Sequence, residues 1–349
     1  MRTPLAHIRF AELESAFERA IRTHGEITFP MALAGRRVDL CFAGPALVGL
    51  LTPALAHLRA SGGDAEHIIR IGDIESTGVT PRLAFAETGT GAAAGDRESP
   101  TTPPGAYLAM TPDMLWGLEP DGRRGFFWVR SAGVLKPWDV AAPLRLLLSW
   151  LAEVLGAQLV HGAVVGHGHD GVLLAGKGGS GKSTTTLSCI ESGLTTVGDD
   201  YVWMEPGDPP MAFSLFGTVK IDPEALRTRF VRLAPYARDL TGMLSEKMAL
   251  FLAEAPGVRW TRALNVRAVA ALRIGQGTTP RVGPASLVEV LMALAPSSLL
   301  QSPVVGSSGL ARLTNVVRRC HALRCEVGSD YARNARAIGD LVDPARLAS

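Results

Sequence analysis

The sequence predicts an α/β fold with a smaller α+β domain at its amino-terminal end. Three observations carry this expectation. A short apolar run, Gly171–Ala175, leads through a glycine-rich segment into a helical pattern, Lys182–Ser192, which is the strand–loop–helix order of α/β units. A second apolar run, Leu194–Val197, follows directly. Upstream, short strand and helix patterns alternate without an internal repeat, and 349 residues leave room for two domains of ordinary size. The change of texture divides the chain into 1–138, an α+β domain, and 139–349.

In the amino-terminal part, Ala11–Thr23 has helical spacing, Arg37–Phe42 alternates as a strand, Pro45–Arg59 reads as a helix and Ile68–Ile74 as a strand. Leu115–Leu118 and Gly125–Val129 flank Glu119–Arg124, where Pro120, Asp121 and Gly122 signal a hairpin turn. Thr88–Gly105, rich in Gly, Ala, Thr and Pro, reads as a surface insertion. No catalytic grouping is evident here, so a docking or oligomerisation role is expected.

In the second part, Leu144–Leu155 reads as an apolar helix and Gln158–Val165 as a strand. Between that strand and Gly171–Ala175 lies Gly166-His167-Gly168-His169-Asp170-Gly171. Two histidines and an aspartate could hold a metal, but no third rigid ligand is evident. Asp170-Gly171 between apolar runs is the stronger signal, that of a tight hairpin turn.

The overall balance excludes several classes. Apolar residues are 47% and charged residues 19%, the makeup of a folded core rather than a disordered chain. A net charge of +2 argues against a broad nucleic-acid surface and a polybasic membrane face. Cys41, Cys189, Cys320 and Cys325 form no CxxC pair, so reduced thiols and a cytoplasmic location are expected. No uncharged stretch reaches the ~20 apolar residues of a membrane span, and the first residues lack a secretory leader pattern.

The chemistry concentrates after Ala175. Gly176-Lys177-Gly178-Gly179-Ser180-Gly181-Lys182-Ser183 is a complete G-x-x-x-x-G-K-[ST] pattern in the required strand–loop–helix context, with Thr184 next in line. Its glycines let successive N–H groups turn toward phosphate oxygens, and the following helix aims its positive end at the same place. Lys182 is expected on the β- and γ-phosphates and the Ser183 hydroxyl on Mg²⁺. Gly193 is expected to end the helix.

Gly198-Asp199-Asp200 follows the next strand, so both carboxylates should arrive beside the loop, on the reasoning that ligands sit outside the carboxyl ends of parallel strands. One can hold Mg²⁺ while the other takes the proton of an attacking hydroxyl. Val219–Asp222 reads as a strand delivering Lys220 toward the site. A transporter-type LSGGQ signature is missing, and Val219-Lys220-Ile221-Asp222 lacks the residue that a guanine reader needs. The acceptor is read as a hydroxyl of a peptide or protein, with a small molecule as the alternative; a nucleotide-binding regulator without transfer activity is the reading of a different class.

His161-Gly162, GVLLAGKGGSGKSTTTL and GLTTVGDDYV together resemble the kinase domain of HPr kinase/phosphorylase. The resemblance is good over about 155–205 and looser to about 340, and the overall layout is similar to HPr-kinase-related proteins of peptide-tailoring systems, including those that phosphorylate a serine of a lasso-peptide precursor. It implies an HPr kinase-like P-loop core, ATP and Mg²⁺ as cofactors, and self-association into a homo-oligomer. It implies His161 near the acceptor, Asp199 as general base, Asp200 with Ser183 at the metal, and Lys220 neutralising the transferring phosphate. Read from the residues alone, a lone histidine on an apolar strand is more often a core residue, and Lys220 could equally be an ordinary strand lysine. The family's arginine-rich loop has no clean counterpart; Trp260–Asn265 occupies its place with another pattern. Phosphorolysis, and HPr as the acceptor, are therefore not expected.

Overall fold

The structure is a computed structural model describing residues 4–81, 106–238, 247–299 and 307–342. It is a mixed α/β protein whose described residues form three sheets. Contacts divide it into two compact units, Met1–Pro53 with Arg59–Leu155, and Ala54–Leu58 with Gly156–Ser349. The predicted insertion Thr88–Gly105 lies outside the described residues.

The first unit contains helix α1 (Pro4–His24), strands β1 (Glu26–Leu33) and β2 (Arg36–Ala43), and the single turn α2 (Val48–Leu51). Then come β3 (His67–Asp73), α3 (Ile74–Thr77), β4 (Tyr107–Met110), β5 (Met114–Leu118), β6 (Arg124–Val129), α4 (Pro137–Ala141) and α5 (Arg145–Val154). The strands form one sheet in the order β1-β2-β3-β6-β5-β4, parallel between β2, β3 and β6 and antiparallel elsewhere. Phe10, Leu13, Phe17 and Ala20 recur at helical spacing on α1 and share a core with Phe126 and Trp128. The β5–β6 hairpin forms where its turn residues predict it.

Two expectations for this region differ from the structure. Pro45–Arg59 is not one helix: α2 ends before Pro53, and Pro53–Leu58 is a 3₁₀ turn. Proline has no N–H to continue the α ladder. The division between units falls after α5, at Leu155, rather than at 138. The α5 side chains pack inward on the first unit, where the Trp150 ring stacks on Tyr107 at 5.4 Å.

The second unit holds β7 (Gln158–Val160), β8 (Ala163–His167), β9 (Asp170–Ala175), α6 (Lys182–Glu191), β10 (Thr195–Gly198), β11 (Val202–Glu205), β12 (Met211–Phe213), β13 (Thr218–Ile221) and α7 (Pro223–Thr228). It continues with β14 (Ala237–Arg238), β15 (Met248–Phe251), β16 (Ala263–Ile274), β17 (Arg281–Pro284), α8 (Leu287–Leu299), α9 (Ser307–Arg318), β18 (His321–Val327) and α10 (Tyr331–Asp340). The large sheet runs β10-β8-β9-β16-β12-β11-β7, with β18 also on β16 and β17 beyond it; β13, β15 and β14 form a small separate sheet. Helices α8 and α9 cover one face of the large sheet through Val290, Leu294, Leu313 and Val316. The other face packs Ala268, Ala270 and Leu272 of β16 with Cys189 of α6 and Ile338 of α10. Gly193 (φ 86°) ends α6 as expected, donating to Ile190 O.

The sheet is mixed, not parallel: β9, β16 and β18 are parallel, but β8 is antiparallel to β9 and β10 antiparallel to β8. Two reversals return β10 to the direction of β9, so both strands still point their carboxyl ends to the same edge. The hairpin turn between β8 and β9 is Gly168-His169, since His167 pairs with Asp170. Asp170 starts a strand instead of a turn because its carboxylate is held by Arg267 at 2.8 Å and Asn265 at 3.3 Å. Among the described residues, no helix is long and apolar enough to cross a membrane.

Within this unit the turn Ala54–Leu58 is fastened by polar contacts. Gly217 N–H donates to Ala54 O at 2.7 Å, and Ser214 Oγ lies 2.7 Å from His57 Nε2 while accepting from Trp260 Nε1 at 2.8 Å. Burial, helped by the Arg262 charge, pushes His57 from its ordinary 6.5 down to about 4. The unfolded chain therefore binds this proton first, and the stabilisation from neutral His57 is complete above pH 6.5 and lost as pH falls toward 4. Thermal melts across that range should show a decline of up to about 3 kcal/mol, flattened in His57→Gln.

Candidate active site

The phosphate-loop pattern folds as its residue types dictate. β9 is buried along its apolar length and delivers the chain at Gly176. Gly179 (φ 80°) and Gly181 (φ 91°) take left-handed conformations that favour glycine. A side chain at Gly176 would collide with Ser180 Oγ at 2.4 Å. Lys177, Gly178 and Gly179 are exposed, whereas Ser180 is buried with its hydroxyl lacking a hydrogen-bond partner. Lys182 and Ser183 open α6, Lys182 being 8% exposed. Its ammonium donates to Gly176 O and, at 3.3 Å, to Lys177 O. The Thr184 carbonyl accepts from Ser188 Oγ at 2.8 Å.

Opposite this loop, a two-stranded ribbon breaks. Thr195 and Thr196 pair with Gly166 and Val165, and Val202–Met204 pair with Gln158–Val160. Between these stretches Asp199–Tyr201 faces His161–Gly162 without strand pairing. The single predicted strand Gln158–Val165 is therefore two, β7 and β8. Gly162 is required there, because a Cβ would lie 2.9 Å from both Leu173 Cδ1 and Leu174 O. Asp200 takes a left-handed φ of 70°, a conformation that aspartate tolerates better than most residues. That twist sends the two adjacent carboxylates to different partners.

Asp199 is 1% exposed and accepts from Ser183 Oγ at 2.7 Å and Thr186 Oγ1 at 3.5 Å. Burial raises its pKa and the neighbouring Asp200 charge adds to this, against the Ser183 hydrogen bond and the charges of Lys182 and His161. Burial likewise lowers Lys182, opposed by both aspartates. Asp200 meets His161 Nε2 at 2.9 Å through Oδ1 and Lys220 Nζ at 2.6 Å through Oδ2. Burial alone would raise Asp200, but Lys220 and His161 outweigh it and hold the carboxyl well below the usual carboxylate range. Asp200 is thus anchored as an anion between two donors.

All the predicted site residues lie in the second unit, where the loop and the adjacent aspartates meet in two separate polar groups. Ser183 bonds Asp199, whereas Asp200, expected with Ser183 at the metal, bonds His161 and Lys220. Three supporting residues escaped the sequence reading. Thr186 could have been found, since it stands one helical turn from Ser183. Tyr201, whose ring meets the His161 ring edge-on at 5.2 Å, directly follows the acidic pair. Ser298, whose Oγ accepts from His161 N at 3.0 Å across 137 residues of chain, leaves no local signal.

The donor set suits magnesium. Asp199 and Ser183 supply hard oxygen donors. Among the described residues, no group of three or more His, Cys, Asp or Glu could hold a metal ion. Mg²⁺ needs no such cage, since it takes one or two protein ligands and completes its shell with water and substrate phosphates.

No protein-family profile and no curated protein matches the chain. Among solved structures, the Hpr(Ser) kinase/phosphatase from Coxiella burnetii is similar, with 16% identity over 37% of this chain and 78% of that chain and a TM-score of 0.25. A likeness of that size does not establish membership of a family.

Proposed function

We propose that the protein is an ATP-dependent kinase that transfers a γ-phosphoryl group to an acceptor hydroxyl, a serine of a peptide or protein being the favoured acceptor. The observation that carries this reading is the division of the acidic pair. Asp199 sits on the phosphate-loop hydroxyl of Ser183, and Asp200 sits in a separate group with His161 and Lys220. Binding a triphosphate calls for the first arrangement only.

In this reading Gly176–Thr184 hold the triphosphate through backbone N–H groups, and Lys182 turns from the loop carbonyls to the β- and γ-phosphates. Ser183 and Asp199 would hold Mg²⁺, which supplies charge neutralisation on the phosphate oxygens. The acceptor oxygen attacks the γ-phosphorus, the bond to the β–γ bridging oxygen breaks, and the nucleoside diphosphate leaves. Asp200 takes the hydroxyl proton on a lone pair not used by His161 or Lys220, a carboxylate having about four such sites. Its weak basicity is acceptable because phosphoryl transfer relies mainly on positioning and charge. Lys220 stands beside Asp200 to offset negative charge. These roles exchange those that the family resemblance implies for the two aspartates.

A lasso-precursor serine remains part of the proposal for the acceptor, resting on sequence resemblance alone. Incubation with γ-labelled ATP, Mg²⁺ and a pool of serine peptides tests the reading. The expected result is label in a peptide, located on a hydroxyl by mass spectrometry. Nucleotide binding without transfer to any peptide or small alcohol would favour a regulator instead.

A further inference from the structure

Residues 268, 270, 272 and 274 of β16 alternate onto the same sheet face. Ala268, Ala270 and Leu272 are covered by α6 and α10 and are 0%, 0% and 5% exposed. The next in the row, Ile274, is 67% exposed. A lone exposed isoleucine needs no explanation by itself; its position does. A Cβ at Gly181, the last glycine of the phosphate loop, would lie 3.7 Å from Ile274 Cγ1 and 3.3 Å from Val327 Cγ2. Ile274 pairs with Val327 at the carboxyl ends of two parallel strands, the edge at which the phosphate loop also opens.

The ground beyond Ile274 is held firmly. Gly275 N–H donates to Val327 O at 2.9 Å, Ser329 N–H to Gly277 O and Asp330 N–H to Thr278 O, both at 3.1 Å. Arg333 donates to Thr279 Oγ1 at 3.0 Å. Gln276, exposed on this ledge, stands two residues beyond Ile274 and carries an amide able both to donate and to accept.

We infer that Ile274 is the platform for the nucleobase of the bound triphosphate, with Gln276 reading the edge of the base. The inference rests on the phosphate-loop reading and adds to it the subsite that separates a nucleotide from a bare polyphosphate. An apolar face beside a fixed polar ledge is what a flat heterocycle with hydrogen-bonding edges requires.

Calorimetric titration with Mg·ATP and with Mg·tripolyphosphate tests it in wild type, Ile274→Asn, Ile274→Ser and Lys182→Met. Both Ile274 variants should weaken ATP by about tenfold and leave tripolyphosphate within about twofold. Lys182→Met should weaken both. Gln276→Ala should reduce the preference between ATP and GTP. Unchanged ATP affinity in both Ile274 variants, or an equal loss of ATP and tripolyphosphate, would overturn the platform. If wild type bound neither ligand, the phosphate-loop reading would fall and the platform with it.

Discussion

Asp200→Asn should lower phosphoryl transfer by about 10²–10⁴-fold while ATP affinity stays within about threefold, the range associated with loss of a positioned acid–base group. The separation follows from the geometry. Asp200 contacts His161 and Lys220, whereas the phosphate-loop hydroxyl contacts Asp199. Asparagine keeps the shape but removes the negative charge that both partners address. It turns one arm toward His161 or Lys220 as an N–H₂ group, so one of the two contacts loses its acceptor. Initial rates of peptide phosphorylation alongside equilibrium ATP titration measure the two effects separately. An equal loss in both would place Asp200 in nucleotide binding rather than at the acceptor.

Lys182→Met should weaken ATP by roughly 30–100-fold, the scale of one charge-assisted hydrogen bond of about 2–3 kcal/mol. The side chain is 8% exposed and already directed at loop carbonyls, so methionine fits the same channel. Burial lowers the Lys182 pKa, opposed by Asp199 and Asp200. The charge is thus held there at a cost, and the apolar replacement should not lower the melting temperature of the ligand-free protein. Calorimetry for affinity and a thermal melt for stability check this pair of outcomes. A protein that melted early and bound ATP unchanged would contradict both.

What could be read from the sequence was local. The phosphate loop, the strand before it, α6 and its glycine stop are set by residues within one strand–loop–helix unit, and they fold where the pattern puts them. The β5–β6 hairpin is equally local. What could not be read depends on distant partners or on one dihedral angle. The separate fates of Asp199 and Asp200 follow from the left-handed backbone at Asp200 and the break opposite His161–Gly162. Neither leaves a compositional trace. His57 and Ser214 meet across 157 residues, so nothing local could assign Ala54–Leu58 to the second unit. Pro53 was visible in the sequence, and its interruption of the Pro45–Arg59 helix was there to be read. The turn at Gly168-His169 was displaced from Asp170-Gly171 by Arg267 and Asn265, contacts that lie almost a hundred residues away.

The magnesium dependence of ATP affinity measures directly which acidic side chain serves the metal-bearing phosphates. In wild type and Asp200→Asn, added Mg²⁺ should tighten ATP binding to a similar degree; in Asp199→Asn the tightening should be largely lost. If Asp199→Asn kept the full magnesium effect and Asp200→Asn lost it, the roles assigned to the two aspartates would be contradicted.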